Sequence, residues 1–61
     1  MKKPNVFVIQ AWRDIAAAYR RLAAELAVLG ESDPSYNAEA TDMLHRAKGY
    51  EDKVRDEEAA A

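Results

Sequence analysis

Large apolar residues recur at alternating steps of four and three along the first half of the chain. The series consists of Val8, Trp12, Ile15, Tyr19, Leu22, Leu26 and Leu29. This spacing places the side chains on one face of an α-helix and is typical of a coiled-coil seam. Gly30 follows at once, where a left-handed C-terminal cap favours a residue without a Cβ. The pattern predicts helix one over about residues 6–29.

The same period returns in the second half of the chain. Its seam consists of Tyr36, Ala40, Met43, Ala47, Tyr50 and Val54. Asp33 can accept backbone N–H groups as an N-cap, and Pro34 suits the first helical position, whose N–H has no partner within a helix. Gly49 lies off this seam and weakens the helix without interrupting its contact face. A turn is therefore predicted over residues 30–33 and helix two over about residues 34–57.

Two seams of equal period joined by a short turn predict an all-α, antiparallel two-helix hairpin, with residues 1–61 forming one domain. Seam residues whose numbers add to 62 then face each other, for example Tyr19 with Met43 and Trp12 with Tyr50. The distribution of charge along the chain also supports an antiparallel hairpin. Residues 1–30 carry a net charge of +3 and residues 31–61 a net charge of −5, so the two halves attract.

The two ends of the chain leave alternatives open. Residues 5–9, "NVFVI", have β-branched and aromatic character and could form a short strand, or could extend helix one behind Pro4 and Asn5. Ala59 to Ala61 are consistent with native sequence or with a remnant of an expression vector.

A chain of this size has little core of its own. A domain of about 60 residues buries only about 60% of its unfolded surface, and with no cysteine there is no disulfide to compensate. Helix one carries more apolar residues than one partner helix covers, including Ala16 and Ala23 beside its seam. We expect two hairpins to pair through helix one into a homodimeric four-helix bundle, unless these alanines serve only as helix formers on a solvated face.

Two groups of residues on helix one are candidates for binding. Phe7 lies off the seam, and with Val6 and Ile9 it would form an apolar knob for a protein partner. The candidate protein-binding residues are Val6, Phe7, Ile9, Ala16 and Ala23.

The second group is basic. It comprises Arg13, Arg20 and Arg21, to which Lys2 and Lys3 could add, and paired across a dimer it could bind a phosphate backbone. Alternatively these arginines face the acidic second helix of a neighbour or pair locally, as Arg21 could with Glu25.

The sequence contains few residues that could catalyse a reaction, bind a phosphate or hold a metal ion. Ser32 and Ser35 lie in the turn, where capping accounts for them, and two glycines cannot assemble a phosphate-binding loop. The spacing Glu39-x-x-Asp42-x-x-His45 resembles the acid-x-x-His ligand pattern of di-iron bundles, but Asp42 and His45 fall off the seam, so we expect a solvated polar face there. The sequence predicts no enzyme, no cofactor and no bound metal.

These features favour a small, cytoplasmic, non-enzymatic regulatory or adaptor protein that binds itself and an unidentified protein partner, without a membrane-spanning segment. The layout resembles that of Rop, the family of plasmid copy-control hairpins that bind RNA as antiparallel four-helix dimers. That resemblance rests on architecture over the whole chain and implies an alternative, an RNA- or DNA-binding regulator that uses Arg13, Arg20 and Arg21. A structural subunit of a larger helical assembly is a third possibility.

Overall fold

Two long α-helices make up the structure, a computed structural model that describes residues 3–60. Helix α1 spans Val6–Leu29 and helix α2 spans Ser35–Ala59, and the two pack against each other along their length. The all-helical hairpin predicted from the two seams is thereby confirmed. Residues 6–9 belong to α1, so the strand alternative does not form. Lys2 and Ala61, named in the predictions above, lie outside the described residues.

Asn5, the N-cap residue of α1, connects the two helices at the open end of the hairpin, which lies opposite the turn. The Asn5 side chain caps α1 by accepting hydrogen bonds from the backbone N–H groups of Phe7 and Val8, each at 3.1 Å. The backbone N–H of Asn5 in turn donates to the Glu57 carboxylate at 3.4 Å. This contact ties the first turn of α1 to the last turns of α2, which continue to Ala59.

The turn between the helices departs from its prediction at Gly30. Gly30 has a right-handed φ of −64°, so the expected left-handed cap is wrong. Glycine suits this position for a different reason. A Cβ here would collide with the Asn37 side chain, whose Oδ1 lies nearest and whose Cγ would be 2.8 Å away. The start of α2 lies one residue later than predicted, with Pro34 and not Asp33 as its N-cap residue. The Asp33 carboxylate still accepts the backbone N–H of Ser35, the first residue of α2, at 3.1 Å.

The interface between the helices is built around small residues. Its buried members recur every seven residues in each helix: Ile9, Ala16 and Ala23 in α1, and Ala40, Ala47 and Val54 in α2. The α2 members belong to the predicted seam. On α1 the interface is rotated by one residue, because Ala16 and Ala23 are buried where Ile15 and Leu22 were predicted. Alanines on both facing surfaces let the two helix axes come closer than larger side chains would allow.

The aromatic side chains meet different partners from those that the predicted seam pairing gave them. Tyr19 stacks on Tyr50 instead of being paired with Met43. Helical side chains tilt toward the N-terminus of their own helix, and in an antiparallel pair these tilts run in opposite directions. A side chain of α1 therefore meets a side chain of α2 whose backbone lies farther from the turn than the backbone-matched residue does. Lys53 accompanies the rings, with its Nζ 5.7 Å from the centroid of Trp12 and 5.8 Å from that of Tyr50.

Candidate protein-binding surface

One edge of the helix interface is closed by ion pairs. Arg20 donates two hydrogen bonds to the Glu51 carboxylate, each 2.6 Å long, in a bidentate arrangement. One heptad nearer the open end, Arg13 donates to Glu58 at 2.9 Å. Arg13 and Arg20 lie seven residues apart on α1, and Glu51 and Glu58 lie seven apart on α2, so the two pairs repeat along one edge.

The Arg20–Glu51 pair also changes the protonation behaviour of both partners. The hydrogen bond to Arg20 holds the pKa of Glu51 below its ordinary value, against the opposing effect of desolvation, and the charges of Arg20 and Lys48 lower it further. The same hydrogen bond and the charge of Glu51 raise the pKa of Arg20. Both side chains remain substantially exposed, so the pair is screened by solvent.

These contacts occupy two of the three arginines that the alternative function assigns to nucleic-acid binding. Arg13 and Arg20 each have a carboxylate partner on α2. Arg21 points away from this edge, and within residues 3–60 it forms no ion pair, so the predicted local pair with Glu25 is not formed. The structure does not gather the three arginines into one free basic patch.

The opposite edge of the interface is apolar and open. Val8, Ile15, Leu22 and Leu29 recur every seven residues along α1 and form what we call the outer stripe. Ile15 is 37% exposed, Leu22 42% and Leu29 51%. These four residues were predicted to face α2. Because the hairpin turns Ala16 and Ala23 inward instead, Ile15, Leu22 and Leu29 are left exposed at the surface. Val8 is half-buried, as are the neighbouring Trp12, Tyr19 and Leu26.

The residues predicted to bind a protein partner divide into two groups. Val6 and Phe7 are strongly exposed at the open end of the hairpin, Phe7 by 85%. Ile9, Ala16 and Ala23 are buried against α2, and this corrects the expectation that they face a partner. The cause is the rotation of the interface on α1, which covers these three side chains within the same chain.

A second series of residues in α1 identifies the exposed apolar surface, which the predicted seam had placed against α2. The steps of three and four also fit the series Val8, Ala11, Ile15, Ala18, Leu22, Glu25 and Leu29, which is apolar except at Glu25. Helix α1 thus carries two adjacent seams that share no residue. One contains the small residues that meet α2, and the other contains the outer stripe.

The polar residues of α2 are arranged as a solvated surface. Asp42 accepts a hydrogen bond from Arg46 at 3.1 Å. Over residues 3–60 no three histidine or acidic side chains converge as metal ligands, and that part of the chain forms no pocket. What the described residues offer a partner is therefore an apolar surface on α1 and its open end.

No family model, no curated protein and no solved structure matches the chain. Neither α1 nor α2 is long and apolar enough to cross a membrane.

Proposed function

We propose that this protein is a small non-enzymatic regulatory or adaptor protein that acts by binding other protein surfaces, as a helical hairpin that dimerises into a four-helix bundle. The observation that carries the proposal is the amount of large apolar side chain left exposed on so small a fold. The residues on α1 are Val6, Phe7, Ile15, Leu22, Val28 and Leu29. Exposed apolar surface of this extent is typical of interaction sites.

The open end of the hairpin is the contact point for a partner of a different sequence. Phe7 projects into solvent next to Val6, and the Asn5 cap and the Asn5–Glu57 contact fix the backbone beneath them. An aromatic side chain on a rigid helix end loses little conformational entropy on binding, which favours it as an anchor. The expected mode of action is occlusion or bridging of the partner.

A photo-crosslinking amino acid at position 7 tests this function. We expect it to capture a distinct protein of the native host, identified by mass spectrometry, when the full chain is expressed there. The matched control is the same crosslinker in place of Leu44, an exposed apolar residue on α2, which should not capture that protein. Capture of no protein other than the chain itself from position 7 would reject the proposal.

Nucleic-acid binding is less well supported, because Arg13 and Arg20 are already paired with Glu58 and Glu51. Retention of RNA or DNA at low salt, lost in the Arg20→Ala/Arg21→Ala variant, would favour this alternative over protein binding.

A further inference from the structure

We propose that the outer stripe of α1 binds the same stripe of a second copy of this chain, with the two α1 helices antiparallel about a two-fold axis. This inference rests on the proposed function and names one of its partners. Leu22 and Ile15 are large, exposed and separated by one heptad, with Ala18 between them. In an antiparallel pair each large residue of one helix can pack beside an alanine of the other.

Charged residues beside the stripe specify the antiparallel direction. Asp14 and Arg21 lie seven residues apart along the same flank of the outer seam, and neither forms an ion pair within residues 3–60. When two antiparallel α1 helices are aligned so that numbers adding to 35 meet, Asp14 of each copy faces Arg21 of the other. The two-fold axis therefore produces this opposite-charge pair twice.

A parallel arrangement lacks this complementarity. It would bring Glu25 of one copy to Glu25 of the other at a seam position, with two like charges facing each other. Antiparallel alignment instead places Glu25 toward the Val8 end of the second helix, at the rim of the contact. The same alignment sets Phe7 of one copy beside Val28 of the other, which enlarges the apolar surface at each open end.

The surface area of the hairpin is consistent with a missing partner. The chain exposes 4581 Å². A compact monomer of 6.8 kDa is expected to expose about 3,950 Å², so the hairpin exposes roughly 600 Å² more than its mass predicts. Burial of about 600–1,000 Å² on each partner is what a stable protein–protein interface needs. Pairing of two outer stripes would remove surface of this order.

Sedimentation equilibrium of the full chain tests the interface directly. We expect a dimer at micromolar concentration, and a monomer that keeps its helical circular dichroism for Leu22→Glu. The matched control is Leu44→Glu, which changes an equally exposed leucine on α2 and should remain dimeric. A monomeric native chain, or a Leu22→Glu variant as dimeric as the native chain, would overturn the proposal.

Cysteine crosslinking tests the direction of pairing without relying on a destabilising substitution. The chain has no cysteine of its own, so Asp14→Cys and Arg21→Cys can be introduced as single thiols. On oxidation of an equimolar mixture, antiparallel pairing predicts that the mixed 14–21 disulfide exceeds the two symmetric disulfides at least several-fold. Predominance of the 14–14 and 21–21 species would show that Asp14 does not face Arg21 of the second copy and would reject the arrangement.

The outcomes separate this inference from the proposed function. If the chain is monomeric but the crosslinker at position 7 captures a distinct protein, the second-copy interface is wrong and protein binding stands. If the chain forms the antiparallel dimer but captures no other protein, the interface stands and the regulatory or adaptor function is rejected.

Discussion

The ring of Tyr19 on α1 stacks on the ring of Tyr50 on α2, with 6.0 Å between the ring centroids and 21° between the ring planes. Stacked aromatic pairs contribute about 0.5–1.5 kcal/mol beyond the area they bury. We expect Tyr19→Ala and Tyr50→Ala each to lower the free energy of unfolding by about 1–3 kcal/mol, with a coupling energy of about 0.5–1.5 kcal/mol in the double-mutant cycle. Urea denaturation followed by circular dichroism measures both quantities.

Tyr36 provides the control for this cycle. It lies near the turn, at the other end of the α2 seam from Tyr50. The losses caused by Tyr19→Ala and Tyr36→Ala should add to within about 0.5 kcal/mol, since distant sites act independently. A coupling between Tyr19 and Tyr50 no larger than this control value would mean that the stacked pair contributes nothing specific.

The two glycines should respond differently to the same substitution. Gly49 has open space where a Cβ would stand, so Gly49→Ala should stabilise the protein by about 0.5–1 kcal/mol through helix propensity. Gly30→Ala should gain less or lose stability, because its Cβ would displace the Asn37 side chain. Thermal unfolding at one fixed protein concentration measures the difference between the variants.

The Asn37→Ala background tests whether contact with the Asn37 side chain causes the difference between Gly30→Ala and Gly49→Ala. Once the Asn37 side chain is shortened, Gly30→Ala and Gly49→Ala should have similar effects on the melting temperature. If Gly30→Ala remains worse by the same amount in that background, contact with Asn37 is not the reason for glycine at position 30.

The hairpin itself could be predicted because several local signals agree. The heptad period in each half defines two helices, and Asp33 and Pro34 mark the start of the second. The Asp33 side chain accepts the backbone N–H of the first residue of α2, although the N-cap itself is Pro34. Such signals depend on residues close in sequence, and agreement between local signals is what specifies a fold.

The face that α1 presents to α2 could not be chosen from the period alone. Steps of three and four connect Trp12, Tyr19 and Leu26 equally well through Ile15 and Leu22 or through Ala16 and Ala23, so the period fits either pair as their neighbours. Hydrophobicity favours the larger pair, whereas close approach of two alanine-rich surfaces favours the smaller pair, and the structure shows the second. Because α1 is rotated in this way, Arg13 and Arg20 lie beside Glu58 and Glu51. For the same reason Ala16 is buried against α2 and cannot contact a partner.

Ala47 lies where the two helices pack closely, so a larger side chain would not fit at this position. Ala47 has no exposed surface, and it occupies the middle of the α2 side of the interface. Ala47→Leu should therefore force the helices apart and lower the free energy of unfolding by about 1–3 kcal/mol. Ala17→Leu is the matched control, because Ala17 is exposed on α1 and the change there should stay within about 0.5 kcal/mol. Equal stability of the two variants in urea denaturation would contradict the alanine-centred interface.

The Arg20–Glu51 pair predicts how stability depends on pH. Because the pKa of Glu51 in the folded chain lies below its ordinary value of 4.5, the unfolded chain binds more protons at acidic pH. The stabilisation by this group is fully present above pH 4.5 and is lost as the pH falls through the lower, folded-state pKa. The difference in unfolding free energy between the native chain and Glu51→Gln should thus be constant at neutral pH and shrink as the solution is acidified below pH 4.5.

Arg20→Met supplies the background that isolates the cause, since it removes the hydrogen bonds from Arg20 but leaves the carboxylate of Glu51 in place. In that background Glu51→Gln should change the pH dependence much less, because only the weaker effect of Lys48 still lowers the pKa of Glu51. Urea denaturation at closely spaced pH values and one fixed protein concentration gives all four curves. If Glu51→Gln flattens the acid limb equally with and without Arg20, the hydrogen-bonded pair does not set the acid sensitivity of the hairpin.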